Sequence, residues 1–115
     1  MAITINSTVN PTVDPTENSG QPSALFQPAN INVDLDSAYP AGGYDLSASF
    51  NGAVVGPSPF VPSYDGAALY WLRVVNDSGT PKLMVHDTAN GAPGAETSTA
   101  DQSGHTGVDV LFFYK

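Results

Sequence analysis

The chain has 115 residues, of which eleven are acidic and three basic, so its formal net charge is −8. An acidic surface repels phosphate backbones and anionic headgroups, which excludes nucleic acid and membranes as expected partners. Because the chain has no cysteine, neither a disulfide framework nor a thiolate metal site is available to it. The length predicts a single domain with one core.

The first 30 residues predict an extended N-terminal arm. Ile3 and Ile5 alternate with polar residues, a pattern typical of a short edge strand. Four prolines then prevent any continuous ladder or helix, and they separate the isolated apolar residues Val9, Val13, Leu25 and Phe26. We expect either a partly disordered leader or an arm that becomes ordered against a neighbouring subunit. Neither a signal peptide nor an apolar run of about 20 residues is evident, so we expect synthesis in the cytoplasm.

Residues 31–115 predict the folded domain. In residues 31–39, Ile31, Val33, Leu35 and Tyr39 share one face of a strand. Proline and glycine then turn the chain at residues 40–43. Residues 44–50 alternate again, and Asn51-Gly52 is a strong hairpin signal before a short returning limb.

The prolines at positions 57, 59 and 62 predict a surface loop or a broken edge segment at residues 57–64. The densest apolar run follows, at residues 67–75, and it contains the only tryptophan, Trp71. We predict that this run is a central strand, buried on both faces and paired in a hairpin with residues 82–87. In the second limb, Leu83 and Val85 share one face.

The remaining chain predicts a loop at residues 88–94, a polar strand at 95–100 and a closing strand at 106–115. The closing strand has large apolar side chains on both faces, so we expect it to be central or to lie at a subunit contact. No stretch favours a helix of ordinary length. The pattern therefore predicts an all-β, single-domain β-sandwich of jelly-roll-like form, with an immunoglobulin-like sandwich or a small β-barrel as the alternative.

No motif indicates an enzyme, and we expect neither cofactor nor metal. The chain lacks a G-x-S-x-G elbow, and His86 and the aspartate after it should point to opposite faces of a strand. A metal site from His86, Glu96 and His105 lacks the His-x-His spacing that jelly-roll metalloenzymes usually have. Asp34-x-Asp36 lacks the later ligands of a calcium loop.

Aromatic side chains provide a different possibility. Trp71 with Tyr70, or Tyr39 with Tyr44, would suit a platform for sugar rings. A tryptophan in the most apolar strand is more often part of the core or of a subunit interface. We therefore retain a carbohydrate-binding β-sandwich module or fibre-tip domain as an alternative function.

Residues 33–46 contain a strand followed by a Tyr-Pro-x-Gly-Gly-Tyr corner. This segment resembles a region common in the small head decoration, or cement, proteins of tailed bacteriophages. The first six residues, the central hairpin, Asp101-Gln102-Ser103 and residues 108–111 are also similar to that family. The resemblance implies a homotrimer on the outer surface of the phage head, where it binds the major capsid protein and clamps adjoining capsomers.

The contact residues of such a protein are expected among surplus apolar groups and among backbone that cannot pair internally. For binding to the capsid we predict Ile3, Ile5, Val9, Val13, Leu25, Phe26 and Phe60. For the trimer interface we predict Trp71, Phe112 and Tyr114.

Overall fold

The computed structural model describes residues 3–9, 27–48, 50, 56 and 58–114, with the backbone alone for residues 7–9 and 27. These residues form strands and no helix, which confirms the predicted all-β sandwich. The strands are β1 (Thr4–Val9), β2 (Gln27–Asp34), β3 (Tyr44–Asp45), β4 (Val61–Asp65), β5 (Ala68–Asp77), β6 (Thr80–Ala89), β7 (Ala92–Glu96) and β8 (Val108–Tyr114).

The strands form two antiparallel sheets. In the three-stranded sheet the order is β1-β2-β8, and in the five-stranded sheet it is β3-β6-β5-β4. β7 also pairs with β6, at the end of β6 away from β3. The first limb of the predicted hairpin, β5, therefore is a central strand, whereas β8 is an outer strand of its sheet.

The core lies between the two sheets and follows the alternation of the sequence. The four residues predicted to share one face, Ile31, Val33, Leu35 and Tyr39, are all buried, although β2 ends at Asp34. β5 and β6 contribute Leu72, Val74, Leu83 and Val85, and β8 contributes Val110 and Phe112. Period-two burial of this kind fixes the register of each strand, because a one-residue slip would exchange the two faces.

Two segments differ from their predictions, and a third agrees with one of its two interpretations. Among the described residues of 44–50, only the short β3 is a strand. After it, the Phe50 N–H donates to the Leu46 carbonyl, and both side chains are buried. The segment around residues 57–64 includes an edge strand, β4, which agrees with the broken-edge interpretation. The polar strand begins earlier than expected, at Ala92. Asn51-Gly52 lies outside the described residues.

The sandwich is closed along one side by Ser58. Its hydroxyl accepts the Val74 N–H at 3.1 Å and donates to the Leu111 carbonyl at 3.3 Å. The Gly56 N–H also donates to the Phe113 carbonyl at 2.8 Å. Ser58 thus joins β5 of one sheet to β8 of the other, just before β4 begins.

The chain passes from one sheet to the other at residues 40–43. The Gly43 N–H donates to the Pro40 carbonyl, and Gly43 has a φ of 104°, in the region that favours glycine. A Cβ at this position would lie 2.7 Å from the Leu83 carbonyl oxygen. Glycine is therefore required both by the backbone angle and by the closeness of β6.

We predict that Gly43→Ala lowers the free energy of unfolding by about 3 kcal/mol or more, since it combines backbone strain with overlap against Leu83. Gly79→Ala is the matched control, because Gly79 has a φ of 89° and nothing within 4 Å of its missing Cβ. The control should cost about 1 kcal/mol, from strain alone. Urea unfolding of both variants measures the difference, and equal losses would contradict the steric explanation.

Candidate interaction surfaces

The outer face of the five-stranded sheet carries aromatic side chains where a lone domain would present polar ones. Residues that alternate with the buried Leu72, Val74, Leu83 and Val85 point away from the core. We call this surface the aromatic face. It comprises Phe60, Tyr64, Trp71, Arg73, Met84 and His86.

At the centre of the aromatic face, Arg73 and His86 are bonded across β5 and β6. Arg73 Nε donates to His86 Nε2 at 3.1 Å, so the imidazole proton lies on Nδ1 and is donated to the Gly94 carbonyl at 2.9 Å. The Phe60 ring completes the cluster. It lies 4.9 Å from the Arg73 guanidinium carbon and meets the His86 ring edge-on, with centroids 5.3 Å apart.

Trp71 lies next to this cluster and is half-buried. Its indole Nε1 donates to Thr88 Oγ1 at 3.0 Å, and the Thr88 hydroxyl donates to the Leu69 carbonyl at 2.7 Å. These hydrogen bonds, with those of Arg73 and His86, occupy polar groups of the face with partners in the same chain. The most exposed side chains of the face are those of Phe60, at 37%, and Tyr64, at 64%.

The charge of the aromatic face differs from that of the whole chain. Arg73 is the one formal charge among its six residues, whereas the chain has a net charge of −8. Beside the face, Lys82 Nζ pairs with Asp77 at 2.9 Å, which leaves that pair neutral. A second acidic molecule can therefore approach this surface without bringing carboxylates together.

A second apolar surface lies on the side of the sandwich away from Ser58, between β1 and β3. It is an open groove with a volume of about 600 Å³. The core-side residues of both sheets form its floor, and Asp45 and Lys82 are the charged residues in its lining. We call this the corner groove. It is lined by Ile3, Ile5, Pro40, Ala41, Gly43, Tyr44, Asp45, Leu46, Ala48 and Lys82.

Two tyrosines beside the corner groove are held by hydrogen bonds and by contact with each other. The Tyr39 hydroxyl donates to Glu96 Oε2 at 2.7 Å, and the Tyr44 hydroxyl donates to Asp36 Oδ1 at 2.8 Å. Their rings meet edge-on with centroids 5.4 Å apart. Burial raises the pKa of both phenols, and the carboxylate acceptors raise it further, so both hydroxyls keep their protons and remain donors.

A buried polar chain lies at the opposite side of the core. The Gln102 amide donates to the Thr99 carbonyl, so its Oε1 accepts from His105 Nε2 at 2.9 Å. His105 Nδ1 then accepts from the Ser63 hydroxyl at 2.7 Å. The order of hydroxyl, imidazole and amide is that of a nucleophile, base and orienting group. Here His105 is fully buried, and the chain holds β4 to the segment before β8.

We predict that His105 makes folding less favourable in mild acid. Burial lowers its pKa from 6.5, while Asp65 opposes this shift. The folded state therefore binds fewer protons than the unfolded state between the lowered pKa and 6.5. Stability is fully present above 6.5 and falls as the pH decreases through that window, by at most about 1.4 kcal/mol per pH unit.

Denaturant unfolding between pH 7.5 and pH 5 tests this expectation. The variant His105→Gln keeps an amide that can donate to Gln102 and accept from Ser63, but it does not titrate. The free energy of unfolding of this variant should therefore change less between pH 7.5 and pH 5 than that of the wild-type chain. The control variant His86→Gln should keep the contribution of His105 to the pH dependence. An unchanged pH profile in His105→Gln would contradict the assignment.

The predicted contact residues lie in different places. Ile3 and Ile5 line the corner groove, and Phe60 belongs to the aromatic face. Val9 is in β1, where only the backbone is described, and Val13, Leu25 and Phe26 lie outside the described residues.

Of the three residues predicted for the trimer interface, Trp71 lies on the aromatic face and Tyr114 is half-buried at the margin of the core. Assigning Phe112 to that interface is wrong. Its side chain is fully buried and packs edge-on against Phe50, with centroids 5.0 Å apart. The two-faced pattern of β8 led to the error, because Phe112 lies on the core face and Leu111 on the exposed one.

The groups considered for metal binding are separated and have other partners. His86 bonds Arg73 and Gly94, and Glu96 accepts from Tyr39 and from the Gly42 N–H. Within the described part of the chain, no three such side chains come together as a metal site. Asp34 accepts from Asn6 and from the Gly107 N–H, which lower the pKa of its carboxyl.

Sequence reasoning missed Arg73, Met84 and His86 as parts of one surface. The signal was present, because Arg73 is two residues from Trp71 and must share its face. The pairing of Arg73 with Met84 and of Trp71 with His86 depends on the register between β5 and β6.

Comparison with known proteins provides no relative. No family model matches the chain, and no curated protein or solved structure is detectably similar to it. The described residues include no helix that is long and apolar enough to cross a membrane.

Proposed function

We propose that this chain is a capsid decoration protein that binds the outer surface of a phage head as a homotrimer. The observation that carries the proposal is the aromatic face, an apolar surface on a domain with a net charge of −8. Apolar patches of this kind mark protein contacts, since exposing them to water is unfavourable. The proposed role is structural and needs no catalytic group.

The satisfied hydrogen bonds of the aromatic face favour a protein partner over a sugar. Sugar sites combine stacking rings with polar groups that are free to bind hydroxyls. On this face Arg73 Nε, both His86 nitrogens and the Trp71 indole already have partners in the chain. The surface is therefore better suited to packing than to hydroxyl recognition.

The charge distribution also supports an assembly on the outside of a shell. A subunit with a charge of −8 gains nothing from contact with packaged DNA, which it repels. Copies of an acidic chain can associate only where their surfaces carry little negative charge. The aromatic face, whose one charge is Arg73, meets this condition.

The resemblance to cement proteins rests on the Tyr-Pro-x-Gly-Gly-Tyr corner, and three residues of that motif have a physical task here. Tyr39 and Tyr44 bond Glu96 and Asp36, and Gly43 allows the close approach to Leu83. A trimer built on this corner would stabilise a shell by multivalency. Three identical weak contacts around one axis must all break before capsomers separate.

The trimer is testable by native mass spectrometry at micromolar concentration. We expect the wild-type chain to be a trimer and Tyr64→Glu to be a monomer. Tyr64 is mostly exposed, so the variant should fold, but loss of the ring together with burial of a carboxylate at the contact should weaken association about 100-fold or more. Ser98→Glu, at another exposed position, should remain a trimer. A monomeric wild-type chain would contradict the proposal.

Binding to the shell is tested by co-sedimentation with phage heads that lack decoration protein. The wild-type trimer should bind saturably, and the monomeric Tyr64→Glu variant should bind at least about 100-fold more weakly because multivalency is lost. Ser98→Glu should bind like wild type. Equal binding by monomer and trimer would exclude multivalent clamping, and no binding by either would exclude the decoration role.

A further inference from the structure

We propose that a ridge of side chains along β4 of one copy inserts into the corner groove of the next copy. This contact would form the trimer of the proposed function. The ridge comprises Pro62 and Tyr64 on the outward side of β4 and Phe60, the residue before this strand. The inference names the partner surface for the aromatic face and rests on the proposed trimer.

Symmetry requires two different surfaces. In a cyclic trimer every interface is heterologous, so one patch of each copy meets a different patch of its neighbour. Among the described residues, the aromatic face supplies one apolar surface and the corner groove supplies another. Each copy can use both at once, because β4 and β3 lie at opposite edges of the five-stranded sheet.

The two surfaces are complementary in form. Phe60, Pro62 and Tyr64 occur at every second position, so their side chains project together from the strand. Two of them are among the most exposed large apolar residues described, at 37% for Phe60 and 64% for Tyr64. The groove has about 600 Å³. A cavity of about 150 Å³ already accepts benzene, so the groove has room for more than one ring.

The chemistry of the two surfaces also agrees. A tyrosine has an apolar ring and a polar hydroxyl, so it favours sites that are apolar at one end and polar at the other. In the groove, Ile3, Ile5 and Leu46 would contact the ring, while Asp45 and Lys82 offer hydrogen-bond partners for the hydroxyl. Pro62 has no N–H, so β4 is unsuited to extending a ladder and presents side chains instead.

This inference assigns Ile3, Ile5 and Phe60 to the contact between copies, whereas the sequence predicted them for the capsid. It also gives a role to the side of the sandwich between β1 and β3, which no described strand closes. The open side would be covered by the neighbouring copy.

A mixing experiment tests the pairing of ridge and groove. Tyr64→Glu disables the ridge, and Ala48→Glu places a charge at the exposed rim of the groove without touching the core. Each variant alone should be monomeric. In an equimolar mixture, the intact ridge of Ala48→Glu meets the intact groove of Tyr64→Glu, and one-to-one heterodimers should appear in native mass spectra at high micromolar concentration.

The outcomes separate this inference from the proposed function. If the wild-type chain is a trimer but Ala48→Glu also remains a trimer, or the mixture contains no heterodimer, the ridge-and-groove contact is wrong while the trimer stands. If the wild-type chain is a monomer, the proposed trimer fails and this contact fails with it. As a second measurement, a benzophenone amino acid at position 64 should crosslink to peptides containing Ile3, Ile5 or Ala48 of another copy, and a crosslink elsewhere would overturn the assignment.

Discussion

The arrangement of the two sheets depends on the hydroxyl of Tyr39. β6 pairs with β3 at Leu83 and with β7 at His86, which leaves the polar backbone groups of Val85 between the two. The Tyr39 hydroxyl accepts the Val85 N–H at 3.0 Å, and the Thr97 N–H donates to the Val85 carbonyl. One side chain from the segment after β2 thus completes a ladder in the other sheet. Because an unpaired buried backbone group costs about 1–3 kcal/mol, this contact determines how the sheets meet.

The two apolar surfaces follow from that arrangement. The corner at residues 40–43 places β3 beside β6 and opposite β1, but no described strand fills the space between β1 and β3, so the core remains open there as the corner groove. At the other edge of the sheet, β4 is held from the core side by the Ser63–His105–Gln102 chain. Pro62 and Tyr64 on the outward side of β4, and Phe60 just before this strand, are exposed. The hydrogen bonds of Tyr39 and of the Ser63–His105–Gln102 chain thus hold in place the two surfaces that we propose for assembly.

The candidate surfaces were only partly predictable. Trp71 was recognised from its position in the most apolar strand, and alternation along that strand places Arg73 on the same face. The proximity of His86 could not be predicted, because it depends on cross-strand register. Phe112 shows the opposite failure. It and Leu111 are both large and apolar, and the sequence offers no means to decide which one a partner sheet covers. Packing of Phe50 against Phe112 decides it, and Phe50 comes from a turn 62 positions earlier in the chain.

The sequence by itself determined the elements whose signals are local. Alternation of apolar and polar residues identified β2 and β6 and their buried faces, and glycine and proline marked the corner at residues 40–43. The tertiary structure alone decided the strand order, the closure by Ser58, the open side between β1 and β3, and the cluster of Phe60, Arg73 and His86. These features join residues that are distant in sequence, and their energies depend on shape and hydrogen-bond geometry that no local pattern encodes.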